Sequence, residues 1–174
     1  MPSPMTRKQL QAFLGITGYF RTRMPNHGLI AQPLNESLKG QDDSTPLMWG
    51  TPQKKAGATL KQALTQAPTL RLPDPEKEFQ LYVHEIEGIA LGVLTQSLGP
   101  ESQPVAYLSK RLDPTARGWP PCLQDLAAIL ILIEDALKHS FGGKLTIFTS
   151  HQVKQLLNGR GHLWYLIKES SDIK

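Results

Sequence analysis

Glu78-Phe-Gln-Leu-Tyr-Val-His84, Gly88-Ile-Ala-Leu-Gly-Val-Leu-Thr-Gln96 and Gln103-Pro-Val-Ala-Tyr-Leu-Ser109 are three consecutive runs rich in Val, Leu, Ile and Tyr. That composition suits half-buried strands. A helical run, Cys122 to Leu137, follows, and Lys144-Leu-Thr-Ile-Phe-Thr149 reads as a fourth strand. The order is β-β-β-α-β. Short links suit antiparallel neighbours, and only the return after the helix has chain enough for a parallel crossover. The expected unit is a mixed sheet with a helix on it, and Gly99-Pro100-Glu101-Ser102 is the expected hairpin loop.

Upstream the pattern is helical. Thr6 followed by Gln9 fits a capping box. Leu10, Phe13, Leu14, Thr17 and Phe20 then form an apolar face, and Met24-Pro25-Asn26 stops the helix. A second helix is expected over His27 to Leu38, with Pro33 implying a kink or a start near Gln32. A third is expected to open on Thr51 as cap and Pro52 at the first helical position, with Ala56, Leu60, Ala63 and Leu64 as its stripe. Three prolines, Pro68, Pro73 and Pro75, make the following stretch a stiff connector. The reading is α+β: a helical bundle over residues 1–68, a connector over 69–75, a sheet unit over 76–158 and a divergent tail over 159–174. At the end of the sheet unit, after the fourth strand, His151 to Leu157 reads as a short helix.

The chain has 174 residues, 40% hydrophobic and 20% charged, with net charge +4 and pI near 9.2. The basic excess leans towards an acidic partner such as nucleic acid. A single cysteine, Cys122, excludes an internal disulfide or a cysteine-rich zinc site. Met1 to Pro4 runs into charge without an apolar core, so no signal peptide is expected. The apolar run Leu126 to Ile133 is too short to cross a bilayer. The expected setting is intracellular, cytoplasmic or nuclear, without a membrane.

Several phrases carry a family resemblance. They include Thr6-Arg-Lys-Gln-Leu-Gln-Ala-Phe-Leu-Gly15 with Gly18-Tyr-Phe20, Met48-Trp-Gly50 with Leu60-Lys-Gln-Ala-Leu64, and Leu72-Pro-Asp74. Further along stand Gly92-Val-Leu-Thr-Gln96, Pro104-Val-Ala-Tyr-Leu-Ser-Lys110, and Leu112-Asp113 with Gly118-Trp-Pro-Pro-Cys-Leu123. In this order they resemble the Pol polyprotein of gammaretroviruses and related endogenous retroviruses, over about Thr6 to Leu163. The resemblance implies the thumb and the connection subdomain of a reverse transcriptase, the latter a ribonuclease H-like fold without activity.

It also implies which residues matter. Catalytic ribonuclease H domains carry acids where this chain has His84, Asp125 and Ser150. Neutral histidine and serine are poor magnesium ligands, and two-metal phosphoryl chemistry needs several carboxylates. No Tyr-x-Asp-Asp sequence is present either. No catalytic residue, metal or cofactor is therefore expected here, although the parent polymerase uses Mg²⁺. By the same resemblance Gln11 hydrogen-bonds a base edge, Gly15 gives clearance and Tyr19 stacks on sugar in the minor groove of a duplex. Helix packing within the bundle is the other reading of this stripe, and both stay open here. Arg7, Lys8, Arg21 and Arg23 flank it and suit phosphates, as do Lys110 and Arg111 beside Arg117 and Trp119. Solvated charge is the plain alternative for each. Trp49, Trp119 and Trp164 are expected as core plugs.

The resulting expectation is a non-catalytic fragment that binds and positions an RNA–DNA hybrid or DNA duplex. Its partners would be the remaining polymerase domains. Two alternatives come from other classes: an interaction module for a host or viral protein, and a weak nuclease using Asp125 with Glu85 and Glu87. A remnant reading frame without function is the third.

Overall fold

The computed structural model describes residues 4, 6–39, 47 and 49–149, and the backbone of 166–169. The chain divides into two compact units, Met1–Thr69 and Leu70–Lys174.

The first unit holds three helices, α1 (Arg7–Tyr19), α2 (His27–Glu36) and α3 (Thr51–Thr65). The expected capping box opens α1: the Gln9 amide donates to Thr6 Oγ1 at 3.3 Å, and the Thr6 amide donates to Gln9 Oε1 at 3.3 Å. Leu10, Phe13, Ala31, Leu34, Ala56 and Leu60 form the core, with Leu14, Ile30, Leu38, Leu47 and Trp49 packed against it. α2 starts at His27 as expected, not at the alternative start near Gln32, and runs through Pro33; the burial of Ala31 and Leu34 on either side of it outweighs the lost backbone bond. Two details depart from expectation. The cap of α3 is Gly50, without a side-chain bond, and Thr51 is already helical. Phe20 ends α1 and is 40% exposed instead of completing the apolar face.

The second unit contains β1 (Phe79–Ile86), β2 (Ile89–Leu98), β3 (Glu101–Arg111), α4 (Pro121–Ser140), β4 (Leu145–Thr149) and β5 (Leu166–Glu169). The sheet order is β3-β2-β1-β4-β5. β1 pairs antiparallel with β2, and β2 with β3, while β4 runs parallel to β1 after the α4 crossover. This is the mixed sheet expected from the strand order.

Glu87 and Gly88 turn β1 into β2 with φ of 52° and 76°. Two positive angles in a two-residue loop match the twist of the flanking strands, and glycine adopts one without a Cβ clash. Glu101 and Ser102 belong to β3 and not to the preceding loop, because Leu98 already pairs with Glu101. Residues 166–169 add β5, parallel to β4. Ser150, the short helix expected over His151 to Leu157, and Trp164 lie outside the described residues.

α4 lays Ala128, Ile129, Leu132 and Ala136 on one face of the sheet, against Phe79, Leu81, Val83, Ala90, Leu94, Leu108, Leu145 and Ile147. Strand alternation sends Tyr82 and Phe148 to the other face, where their rings stack at 4.6 Å. The connector is tied down at two points. The Arg71 amide donates to the Pro104 carbonyl at 2.9 Å. Gln96, fully buried, accepts from the Asp74 amide at 2.9 Å and donates to the Asp74 carbonyl at 2.7 Å.

Asp135 on α4 lies beneath two ammonium groups, Lys110 Nζ and Lys138 Nζ, each 3.1 Å from its Oδ1. Burial by itself pushes the carboxyl up. The hydrogen bonds from Lys138 and Lys110, with both their charges, outweigh burial and hold it below the ordinary aspartate range. The group thus binds its proton more weakly folded than unfolded. Its contribution is complete above the unfolded value near 3.8 and is lost as pH falls through the folded value. Asp135→Asn is expected to cost about 1–2 kcal/mol at neutral pH. Urea unfolding at pH 7 and near pH 3 checks this: the gap to wild type should shrink in acid, and an equal gap at both would contradict it.

Candidate nucleic-acid interface

The face of α1 opposite its core residues is open. Leu10, Phe13 and Thr17 are buried, while Lys8, Gln11, Gly15 and Tyr19 are exposed, Tyr19 to 81%. Spacings of three and four residues put these four on one stripe. A Cβ built at Gly15 would meet nothing within 4 Å, and the same holds at Gly18. Among the described residues no packing contact accounts for either glycine. A mid-helix glycine costs about 1 kcal/mol against alanine, and at Gly15 no contact among the described residues offsets that cost.

The flanking cations differ from one another. Lys8, Arg21 and Arg23 are exposed, and no carboxylate among the described residues pairs with them. Arg7 is half-buried and already engaged by a neighbour. The Arg21 charge reaches the start of α2: the His27 imidazole titrates below its ordinary value, first through burial and then through Arg21. Past the end of α1, Tyr19 and Phe20 meet edge to face, with centroids 5.1 Å apart at 89°. The chain then turns through a short 3₁₀ segment, Arg21–Arg23.

The second basic group expected from the sequence does not assemble. Lys110 and Arg111 are successive residues of β3, so they point to opposite faces of the sheet. Lys110 is bonded to Asp135, and Arg111 has a partner of its own. Arg117 lays its side chain over Gly88, where a Cβ would come within 2.5 Å of Arg117 Cδ. Trp119 is 44% exposed and is not a core plug. It borders an apolar groove of about 340 Å³ along α4 with Leu123, Ala127, Leu130 and Glu134. Trp49 packs as expected, within 3.6 Å of a Cβ built at Gly57.

The acid positions do not suit magnesium. His84 follows Val83 on β1, so it faces away from α4. Asp125 begins the stripe of α4 that carries Ala128, Ile129 and Leu132 onto the sheet. Glu85 is occupied, since its carboxylate accepts from the Gly88 amide and closes the turn. One carboxylate and one imidazole on different faces are not a donor set for two hard cations. Among the described residues no group of three or more His, Cys, Asp or Glu side chains is arranged to hold a metal.

The model of the RNase H-like domain found in reverse transcriptase matches residues 49–147. The chain is 48% identical over 164 residues to the Gag-Pol polyprotein of avian reticuloendotheliosis virus, covering 94% of this chain and 14% of that one. It is 45% identical to the Gag-Pol polyprotein of feline leukemia virus over the same share of this chain and 9% of that one. The chain thus spans about a tenth of the length of these relatives. Among solved structures it is similar to the foamy viral protease-reverse transcriptase in complex with dsDNA. The TM-score is 0.81 at 18% identity, over 100% of this chain and 40% of that one. The same protein in complex with an RNA/DNA hybrid gives 0.78 at 17% identity, over 99% and 26%. At such identities the likeness concerns the fold. No helix among the described residues is long and apolar enough to cross a membrane.

Proposed function

Since this chain belongs to the RNase H-like domains found in reverse transcriptase, within Gag-Pol polyproteins like those of gammaretroviruses, we propose that it grips nucleic-acid duplex without catalysis. The helical unit acts as a thumb, laying the Lys8–Gln11–Gly15–Tyr19 stripe along an RNA–DNA hybrid or DNA duplex. The sheet unit acts as a connection subdomain. In a complete polymerase, whose reaction would be RNA-directed DNA synthesis, such a segment keeps the duplex in register between two active sites.

The observation that carries this reading is the glycine at position 15, open to solvent in mid-helix. A backbone approached by a ligand gives that glycine a reason. Gln11, long and polar, suits a base edge, and Tyr19 presents a ring to sugar. The solved relatives' complexes with dsDNA and with an RNA/DNA hybrid support the same class of partner. The donor set at His84 and Asp125 supports a role in holding instead of cutting.

Lys8 and Arg21 act as phosphate contacts in this account. A Lys8→Gln/Arg21→Gln variant is expected to bind hybrid more weakly, with the salt dependence of log K reduced by about 1.8 for two phosphates lost. Filter binding over a salt series reads this slope. An unchanged slope would remove both residues from the interface. Mg²⁺-dependent cleavage of the hybrid that is lost in Asp125→Asn would instead establish a nuclease.

A further inference from the structure

The outer side of α4 is apolar as well as the inner one. Ala128, Leu132 and Ala136 carry one side of the helix onto the sheet, and a helix packed in this way ordinarily turns polar residues outward. Here Leu123, Ala127 and Leu130, spaced by four and three residues, share the opposite side. Leu130 is 53% exposed at mid-helix, where glutamate or lysine would form helix equally well. With Trp119 these residues wall the groove of about 340 Å³. An exposed apolar patch with a polar rim marks a contact surface.

The rim gives the sign of that contact. Among the described residues the only charged groups lining the groove are Asp113 and Glu134, and neither pairs with a cation. Asp113 Oδ1 accepts from the Thr115 and Ala116 amides at 2.8 and 2.9 Å, which fixes the carboxylate in place. The one lysine of α4, Lys138, is bonded to Asp135. A chain of net charge +4 therefore borders this groove with two unneutralised carboxylates. They repel phosphate, whether of nucleic acid or of a lipid headgroup, and attract ammonium and guanidinium groups. From Leu123 to Glu134 the stripe runs about 16 Å, roughly three helical turns. An amphipathic helix of similar length lays its apolar face into such a groove.

We infer that the α4 groove docks a basic amphipathic helix of a protein partner. Apolar side chains three and four residues apart meet Trp119, Leu123 and Leu130, and lysine or arginine meets Asp113 and Glu134. The contact uses none of the residues of the α1 stripe, so it stands or falls apart from the duplex-holding reading.

The test titrates the full chain into a fluorescein-labelled peptide of about 18 residues with leucine and lysine at helical spacing, beside a counterpart with glutamate in place of lysine. The lysine peptide is expected to bind and the glutamate peptide to be refused. Leu130→Gln should bind the lysine peptide about tenfold more weakly. Glu134→Gln should bind it about threefold more weakly at low salt, with a smaller salt dependence. Both variants should keep the circular dichroism of wild type and its behaviour towards RNA–DNA hybrid. Equal binding of the two peptides, no binding by the folded wild type, or a Leu130→Gln variant that binds like wild type would each overturn the inference. So would sedimentation showing a wild-type dimer that Leu130→Gln dissolves, because a second copy would then cover the groove.

Discussion

Gln96→Leu is expected to lower the stability of the sheet unit by about 2–4 kcal/mol, a shift of roughly 10 °C or more in its melting temperature. Leucine preserves the bulk of the side chain, so the substitution isolates the amide. That amide is fully buried and bonds both backbone polar atoms of Asp74, at 2.9 and 2.7 Å. It also donates to the Lys77 carbonyl at 3.3 Å. Without it these groups face apolar carbon, and each buried donor or acceptor left unmade costs about 1–3 kcal/mol. Gln80→Leu is the control: Gln80 bonds Ser97, Thr95 and Ser102 at 3.2–3.4 Å in an exposed or half-buried setting, where water replaces lost partners. Thermal unfolding followed by circular dichroism measures both. Equal losses in the two variants would contradict the clamp on the connector.

Gly15→Leu should move stability and binding in opposite directions. The helix gains close to 1 kcal/mol when glycine gives way to a good helix former. Nothing within 4 Å of the new Cβ opposes the change, so the melting temperature of the helical unit should rise by several degrees. If the duplex approaches the backbone at Gly15 as proposed, the side chain fills that gap, and binding to hybrid should fall by about tenfold, the equivalent of about 1.4 kcal/mol. A generally damaged protein would lose both properties. A variant that is more stable and binds as well as wild type would show that Gly15 gives no clearance.

The fold was legible because apolar alternation marks strands and connection length limits their pairing. Phe79, Leu81 and Val83 alternate cleanly into the core. The long chain between β3 and β4 left room only there for a crossover. What escaped reading is where local rules met tertiary ones. Pro33 argues against a continuous α2, yet the burial of Ala31 and Leu34 holds the helix through it. β5 starts within an apolar cluster, Leu163-Trp-Tyr-Leu-Ile167, that suits a strand or a packed segment equally, and only pairing with the edge of β4 decides between them.

The candidate site was legible to the extent that helical spacing fixes a face. Gln11, Gly15 and Tyr19 emerge together because three and four residues make one turn. Lys110 and Arg111 seemed one cluster because they adjoin in sequence, but a strand's period of two separates neighbours. The partner of Lys110, Asp135, stands 25 residues away, a distance that no local pattern reads.

The proposed role of this chain is to hold nucleic-acid duplex. The measurement that addresses it most directly is a fluorescence-anisotropy titration of the intact, folded chain with a labelled RNA–DNA hybrid, at a low and a near-physiological salt concentration. Saturable binding on the order of micromolar is expected, the range of sequence-independent contacts, weakened sharply by added salt. A folded chain that leaves the anisotropy unchanged at low salt would contradict it.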